Sequence, residues 1–574
     1  MIKQKMGLVT NSLLLIWFMC IPVFWHLDLS KGALGLYDVF AMAPYAIFHL
    51  VIFYLLALLS IYFNKFSLYH LLLLSLYFPF IQLANYPYLI IRDVYLHAAP
   101  TRTILENGIL VYPKTQYPTS WPASFNLYAI LSIVTGCDLI IANHILYLAL
   151  IVGFAFTLYS LARTFEHKGY RLAWISAIAF LCLFFNHFFD NFHHYSRTAL
   201  AFTLLLFFLY SFLRLRDRRG LILQMSIIMA VTVTHPFQSL ALMSFMIAFF
   251  VLTRERARPM ILTLFSVATF LAWFLFQASF MFSEAVDQLK NLLSPEFIAP
   301  ITRTIVESRQ LPWWGGFLRD YYKFSVIILF AASFLVAIPV LYGAKRRNIV
   351  IVSLLSLLFS SAVMLIGLLL LPDWQINRFT SFAAFPAAFS SIILLEEEIR
   401  RGRLKMLARS VTSATKKTIL PLLLVFVISL SAVVMVLRFE RNYYFGEVTH
   451  PSELSALSFF STYDHSSTVA IVSWRTAVYY SYFNYNSSHN VLRLWYLALF
   501  DLEGNSSKLM DAEITLINQS ESVIRGLRDS HTLGLQGSAE TVLSFIDDEA
   551  ILPYFNLVYS SEYYSLYDRA LPPG

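Results

Sequence analysis

The sequence alternates apolar runs long enough to cross a bilayer with short loops in which positive charge is bunched. Crossing about 30 Å of hydrocarbon takes around 20 helical residues. Thirteen runs meet that length: 8–25, 44–63, 67–84, 139–162, 171–188, 197–215, 221–236, 238–253, 260–281, 325–343, 349–371, 379–395 and 418–437. Within hydrocarbon every backbone N–H and C=O needs a partner inside the protein, so such runs form helices. Only 13% of the residues are charged and 58% are hydrophobic, against about a quarter charged in a soluble domain. The expected fold class is therefore an all-α polytopic membrane bundle. The stretch 221–253 reads as two short spans broken at His235-Pro236. The stretch 122–137 is apolar too, but counting it as a span reverses every later loop. It reads as an interfacial or re-entrant helix.

Loop charge orients the bundle, because cytoplasmic loops carry the excess of Lys and Arg. Tight basic clusters fall at Lys3 and Lys5, Arg163 to Arg171, Arg214 to Arg219, Arg254 to Arg258, Lys345 to Arg347 and Arg400 to Lys417. All of them lie on one side of the alternation. The expected topology is a multi-pass cell membrane protein with a cytoplasmic N-terminus and an extracytoplasmic C-terminal region. Because the basic residues sit in these loops, the net charge of +8 is a topology signal and does not point to nucleic acid. The basic, apolar N-terminus lacks a small-residue cleavage site and reads as an uncleaved first span. Cys20, Cys137 and Cys182 lie in or beside apolar segments, so no disulfide framework is implied. Residues 1–437 form the expected membrane domain, with long outer loops at 85–124 and 282–324. Residues 438–574 change to a Ser- and Asn-rich texture with β-branched patches such as STVAIVSW, the mark of a small α/β domain. The sequons at Asn486, Asn505 and Asn518 fall in that tail, as suits an exported domain.

Candidate chemistry gathers at the outer ends of the spans. Asp93 in RDVYLH and Asp190 in FFDNFHH stand just past two apolar runs, where a carboxylate is costly to hold beside hydrocarbon. Asp93 and His97 are spaced i, i+4, so a helix puts them on one face; Thr101 and Glu106 follow before a turn at Asn107-Gly108. His187, Asp190, His193, His194 and Arg197 crowd into eleven residues. A carboxylate among imidazoles can orient a base, bind a phosphate-bearing ligand or hold a divalent cation, Mg or Mn; Asp93, Asp190 and His194 are the ligands expected of a metal. His235, Arg319 and Arg378 are further outer-face candidates. An arginine opening a span can grip a phosphate bidentately or serve as a snorkelling anchor. The spans from 197 to 437 hold no Asp, Glu or Lys in their interiors, which disfavours an ion-coupled transporter. Walker-type phosphate loops and zinc-type Cys/His spacing are both missing.

The Asp-x-x-x-His stretch, the Ile-Leu-x-x-Gly at 104–108, the Pro/aromatic segment and the interfacial helix together resemble the first outer loop of GT-C glycosyltransferases. That superfamily includes the protein mannosyltransferases and the oligosaccharyltransferases. The resemblance implies a second acid in an outer loop two spans later, and Asp190 occupies that place. In the tail, PSELSALSFFSTY resembles a helix opening the outer domain and NLVYSSEYYSLYD its closing strand. The pattern departs from the family in its two extra N-terminal spans, and in Trp313-Trp314 being followed by glycines where oligosaccharyltransferases carry Asp. The resemblance implies transfer of a sugar from a polyprenyl-phosphate donor to a protein, lipid or glycan acceptor at the outer face. Asp93 and Asp190 would be catalytic; His97, His193, His194, Arg197, His235, Arg319 and Arg378 would bind substrate. A flippase or transporter of lipid-linked glycans is the alternative.

Overall fold

The computed structural model describes residues 2–24, 44–64, 67–85, 92–108, 120–187, 195–253, 256–279, 328–338, 348–370 and 376–400, with strands at 468–471, 490–493, 514–518, 555–560 and 564–569. Two compact units are present. The first comprises Met1–Asn85, Tyr112–Leu127 and Ala142–Arg438; the second comprises Tyr86–Val111, Tyr128–Ile141 and Phe439–Gly574.

In chain order the helices are α1 (Ile2–Met19), α2 (Pro44–Asn64), α3 (Leu68–Asn85), α4 (Arg92–Asn107), α5 (Ala123–Thr135), α6 (Leu139–His167) and α7 (Ala173–His187). Next come α8 (Arg197–Arg214), α9 (Arg218–Thr234), α10 (Pro236–Leu252) and α11 (Ala257–Phe276). Three more are described: α12 (Ile328–Ile338), α13 (Ile349–Leu370) and α14 (Ile376–Arg400). Each described apolar run from the sequence carries a helix. Among the described residues, α6, α8 and α11 combine the length and apolarity needed to cross a membrane, and the remaining apolar stretches are shorter. The run 418–437 lies outside the described residues. The break at His235 falls where the His-Pro pair put it. With 13 residues, α5 reaches only about 20 Å at 1.5 Å per residue, short of the hydrocarbon thickness. Its exposed face is apolar, with Leu127, Ile130, Ile133 and Val134 outward.

The core of the first unit is a layer of phenylalanines. Phe180 of α7 packs against Phe154 of α6 and Phe202 of α8 at 6.1 Å each, and against Phe385 of α14 at 5.3 Å. Small residues let α14 approach this closely: Ala383, Ala384, Ala387 and Ala388 are at most 1% exposed. Serine and threonine hydroxyls tie helices to neighbouring backbone. Ser360 donates to the Ala241 carbonyl at 2.8 Å, and Thr263 to that of Met246 at 3.0 Å. The two additional N-terminal helices are clasped to the bundle by polar groups. The Trp17 indole donates to the His49 carbonyl at 2.8 Å, while His49 Nε2 donates to the Trp17 carbonyl at 2.7 Å and Nδ1 meets Tyr77.

One end of this unit collects the basic loops. The Glu396 carboxylate accepts the backbone N–H groups of Arg171 at 3.0 Å and Leu172 at 3.1 Å, immediately before α7. Asn348 donates to Tyr170 Oη at 2.8 Å. Arg258 donates to Gln224 at 2.7 Å and to the Leu215 carbonyl. Because α6, α8 and α14 all run toward this end, Arg163, Lys168, Arg171, Arg214, Arg218 and Arg258 share it. The glutamates were not anticipated as structural: α14 continues past residue 395 to Arg400 and carries them.

In the second unit α4 covers Asp93 and His97 and stops at Gly108, whose φ of +71° and N–H bond to the Ile104 carbonyl (2.9 Å) make a left-handed C-terminal cap. Five strands form a sheet of order β2-β1-β3-β5-β4, where β1 is Thr468–Ile471, β2 Asn490–Arg493, β3 Ile514–Asn518, β4 Phe555–Ser560 and β5 Tyr564–Arg569. β1 runs parallel to β2 and β3, and β5 antiparallel to β3 and β4. The STVAIVSW patch supplies β1. NLVYSSEYYSLYD, read as one closing strand, instead makes a hairpin: its two β-rich halves pair with Ser560 opposite Ser565. The expected opening helix of the tail lies outside the described residues.

Candidate functional site

The opposite end of the first unit, away from the basic loops, is where the spans α8, α10 and α14 begin. Helix α8 opens with Ser196 as N-cap, its hydroxyl accepting the Ala199 N–H at 3.1 Å. This cap fixes Arg197 as the first helical residue. The Arg197 guanidinium lies 5.1 Å from the centroid of the Phe125 ring, on α5. Beside it, the Tyr195 hydroxyl donates to the Ser124 carbonyl at 3.2 Å. Burial pushes the Tyr195 phenol up from its ordinary value, so it stays protonated and keeps donating. Tyr195, in the α7–α8 connection, and Arg197, at the start of α8, thus dock on two adjacent residues of α5.

The preceding segment is anchored to α11. The Trp273 indole donates to the Ser120 carbonyl at 2.9 Å, and Trp121, fully buried, packs at 6.0 Å from Phe274.

His235 is the N-cap of α10. Its Nδ1 accepts the Phe237 N–H at 3.3 Å, so the proton of the neutral ring sits on Nε2, which faces Thr198 Oγ1 at 3.3 Å. This bond brings the start of α10 beside the start of α8. Phe237 lies 6.4 Å from Phe382 of α14. Arg378 precedes Phe382 by four residues, one helical turn, and so occupies the same face of α14.

The phenylalanine layer gives these positions a common depth. Arg197 lies five residues before Phe202 and Arg378 seven before Phe385, and both phenylalanines pack on Phe180. At 1.5 Å per residue both arginine positions stand about 7–11 Å above that layer, toward the same end. Sequence reasoning named Arg197, His235 and Arg378, and the fold draws their backbone positions together. It did not name Phe125, Thr198 or Tyr195. A phenylalanine in an apolar run carries no signal of its own, and only packing reveals it as the platform for a cation.

Of Asp93 and His97 the backbone is described. They fall on one face of α4, with Asp93 in the first turn, where unpaired N–H groups favour an ionised carboxylate. Asp190, His193, His194 and Arg319 lie outside the described residues. Among the described residues no three His, Cys, Asp or Glu side chains gather to hold a metal ion; two of the three expected ligands, Asp190 and His194, are outside them.

No family model matches the sequence, and no curated protein matches it. Solved structures do. The archaeal oligosaccharyltransferase AglB from Archaeoglobus fulgidus, in complex with an inhibitory peptide and a dolichol-phosphate, is similar at a TM-score of 0.50 and 13% identity, over 88% of this chain and 74% of that one. This chain has the GT-C fold. Two further structures are similar. One is an A. fulgidus oligosaccharyltransferase in complex with zinc and sulfate (TM-score 0.49, 14% identity, 88% of this chain and 73% of that one). The other is ArnT from Cupriavidus metallidurans in the apo state (TM-score 0.45, 12% identity, 87% and 96%). In this GT-C chain the end of the first unit bearing Arg197, His235 and Arg378 is the candidate active site.

Proposed function

We propose that the protein is an integral-membrane glycosyltransferase that moves a sugar from a polyprenyl-phosphate carrier to an acceptor at the outer face. The observation that carries this reading is the shared depth of Arg197, His235 and Arg378 at the end away from the basic loops, in a chain of GT-C fold. A lipid-linked donor keeps its prenyl tail among the spans and its phosphate at headgroup level, so its chemistry belongs at such an end.

In this reading the acceptor hydroxyl attacks the anomeric carbon of the sugar. Asp93, oriented by His97, takes the hydroxyl proton, a general-base role worth about 10²–10⁴-fold in rate. The bond from the anomeric carbon to the phosphate oxygen breaks, and the electron pair stays on that oxygen of the departing polyprenyl phosphate. Arg197 and Arg378 stabilise that developing charge, and His235 and Arg319 are further substrate-binding residues in this reading. Asp190 with His193 or His194 positions the acceptor. Treatment with EDTA tests the expected cation: transfer lost and regained with Mg or Mn keeps it in this reading, and unaffected transfer removes it.

The deciding experiment reconstitutes purified protein in liposomes with a labelled polyprenyl-phosphate sugar. An enzyme consumes the donor and leaves polyprenyl phosphate. Exchange of intact donor between leaflets without consumption makes the protein a flippase and overturns the proposal.

A further inference from the structure

Helix α6 presents a continuous buried stripe to the phenylalanine layer. Ile151, Phe154, Leu158 and Leu161 are each fully buried, and Phe154 meets Phe180. Two positions at the outer end of this stripe break its apolar pattern. Asn143 and Tyr147 are each 1% exposed, and neither Asn143 Nδ2 nor the Tyr147 hydroxyl takes a hydrogen-bond partner among the described residues. They are four residues apart, so on a helix their side chains are neighbours about 5–6 Å apart. Two buried polar groups left without partners are costly in any interior and more so in hydrocarbon. A native fold tolerates them where a ligand completes them.

Their depth says where that ligand sits. Tyr147 precedes Phe154 by seven residues, the same offset that separates Arg378 from Phe385. It therefore stands about 10 Å above the Phe180 layer, level with Arg378 and close to the level of Arg197. Asn143 is one turn farther out. Both side chains can donate: the amide through Nδ2, the phenol through its O–H. An oxyanion at headgroup depth is the acceptor such a pair fits.

We infer that Asn143 and Tyr147 are further substrate-binding residues, donating hydrogen bonds to the phosphate oxygens of the polyprenyl-phosphate carrier from the α6 side. The inference rests on the proposed function, because it takes the carrier from that reading. Neither residue follows from the sequence, where an Asn and a Tyr inside a span pass as ordinary span composition.

The test measures binding of polyprenyl phosphate to the full-length protein in detergent, for wild type, Tyr147→Phe and Asn143→Leu, with thermal unfolding of each. Each variant is expected to bind about tenfold or more weakly, the worth of one hydrogen bond to a charged oxygen. Its unfolding temperature should stay equal or rise, because no bond to a described residue is lost. A residue that merely braces the fold shows the opposite pattern, with unchanged affinity and a lowered unfolding temperature, and that result overturns the inference. Wild type that binds while both variants bind equally well overturns it alone. Wild type that takes up no polyprenyl phosphate overturns the proposed function with it. Phosphatidylglycerol serves as the second probe. Binding as tight as that of polyprenyl phosphate assigns the donors to a general phospholipid headgroup and overturns the assignment to the carrier.

Discussion

The guanidinium of Arg197 is held by what lies under it. With its Cζ 5.1 Å from the Phe125 centroid, the cation gains a face-on attraction worth about 0.5–2 kcal/mol, depending on desolvation. Phe125→Leu keeps most of the apolar volume and removes that attraction. It should raise KM for the donor several-fold with kcat little changed, read in the transfer assay. Arg197→Lys keeps the charge but loses the planar fork and should cost more, because a lysine cannot grip two phosphate oxygens at once. Equal kinetics in both variants would remove Arg197 from phosphate binding. Arg197, His235 and Arg378 draw attention in the sequence because polar residues at span ends stand out against an apolar background. Phe125 and Thr198 do not, since nothing in their types separates them from ordinary interfacial residues. Only packing reveals their contacts, Phe125 with Arg197 and Thr198 with His235.

Among elements, α7 depends on a carboxylate from another helix. Glu396, 9% exposed, accepts two backbone N–H groups just ahead of α7, one on each oxygen. It acts as a cap supplied in trans, satisfying donors that a helix start leaves open. Glu396→Ala should cost about 1–2 kcal/mol of stability. Glu396→Gln keeps one acceptor oxygen and should cost less. Thermal unfolding in detergent ranks the two, and equal melting of both with wild type would remove the cap. The sequence showed the end of the apolar run at residue 395 but not the helical turn beyond it, because three glutamates after a span look like a loop. Helix α10 was readable from the opposite circumstance. Proline cannot continue a helix interior but suits its first turn, so His235-Pro236 dictates both a stop and a start. The hairpin of β4 and β5 was missed because SSEYY carries no glycine or Asn-Gly signal at which to divide the strand.

Within the first unit the described basic residues gather at one end and the candidate site at the other, and the cytoplasmic side that loop charge proposes for the basic end is open to test. Single cysteines in a protein otherwise stripped of Cys20, Cys137 and Cys182 test this in intact cells. Asn107→Cys, at the end of α4, should react with a membrane-impermeant maleimide. Glu166→Cys, on the exposed face near the end of α6, should react only after the cells are broken. Labelling of Glu166→Cys in intact cells would invert the topology of the first unit and put its arginines on the cytoplasmic face. The helices under the described apolar runs were legible in the sequence because run length is a local property. The meeting of α6, α7, α8 and α14 around one phenylalanine layer was not, because it depends on which faces of similarly apolar helices meet.

The account stands most directly on Asp93 as the base in sugar transfer, read as the rate of donor consumption by purified wild type and Asp93→Asn. Asparagine keeps the shape but cannot take the proton, so transfer should fall by about 10²–10⁴-fold while thermal unfolding stays at the wild-type temperature. Near-normal turnover by a well-folded Asp93→Asn protein would contradict the account.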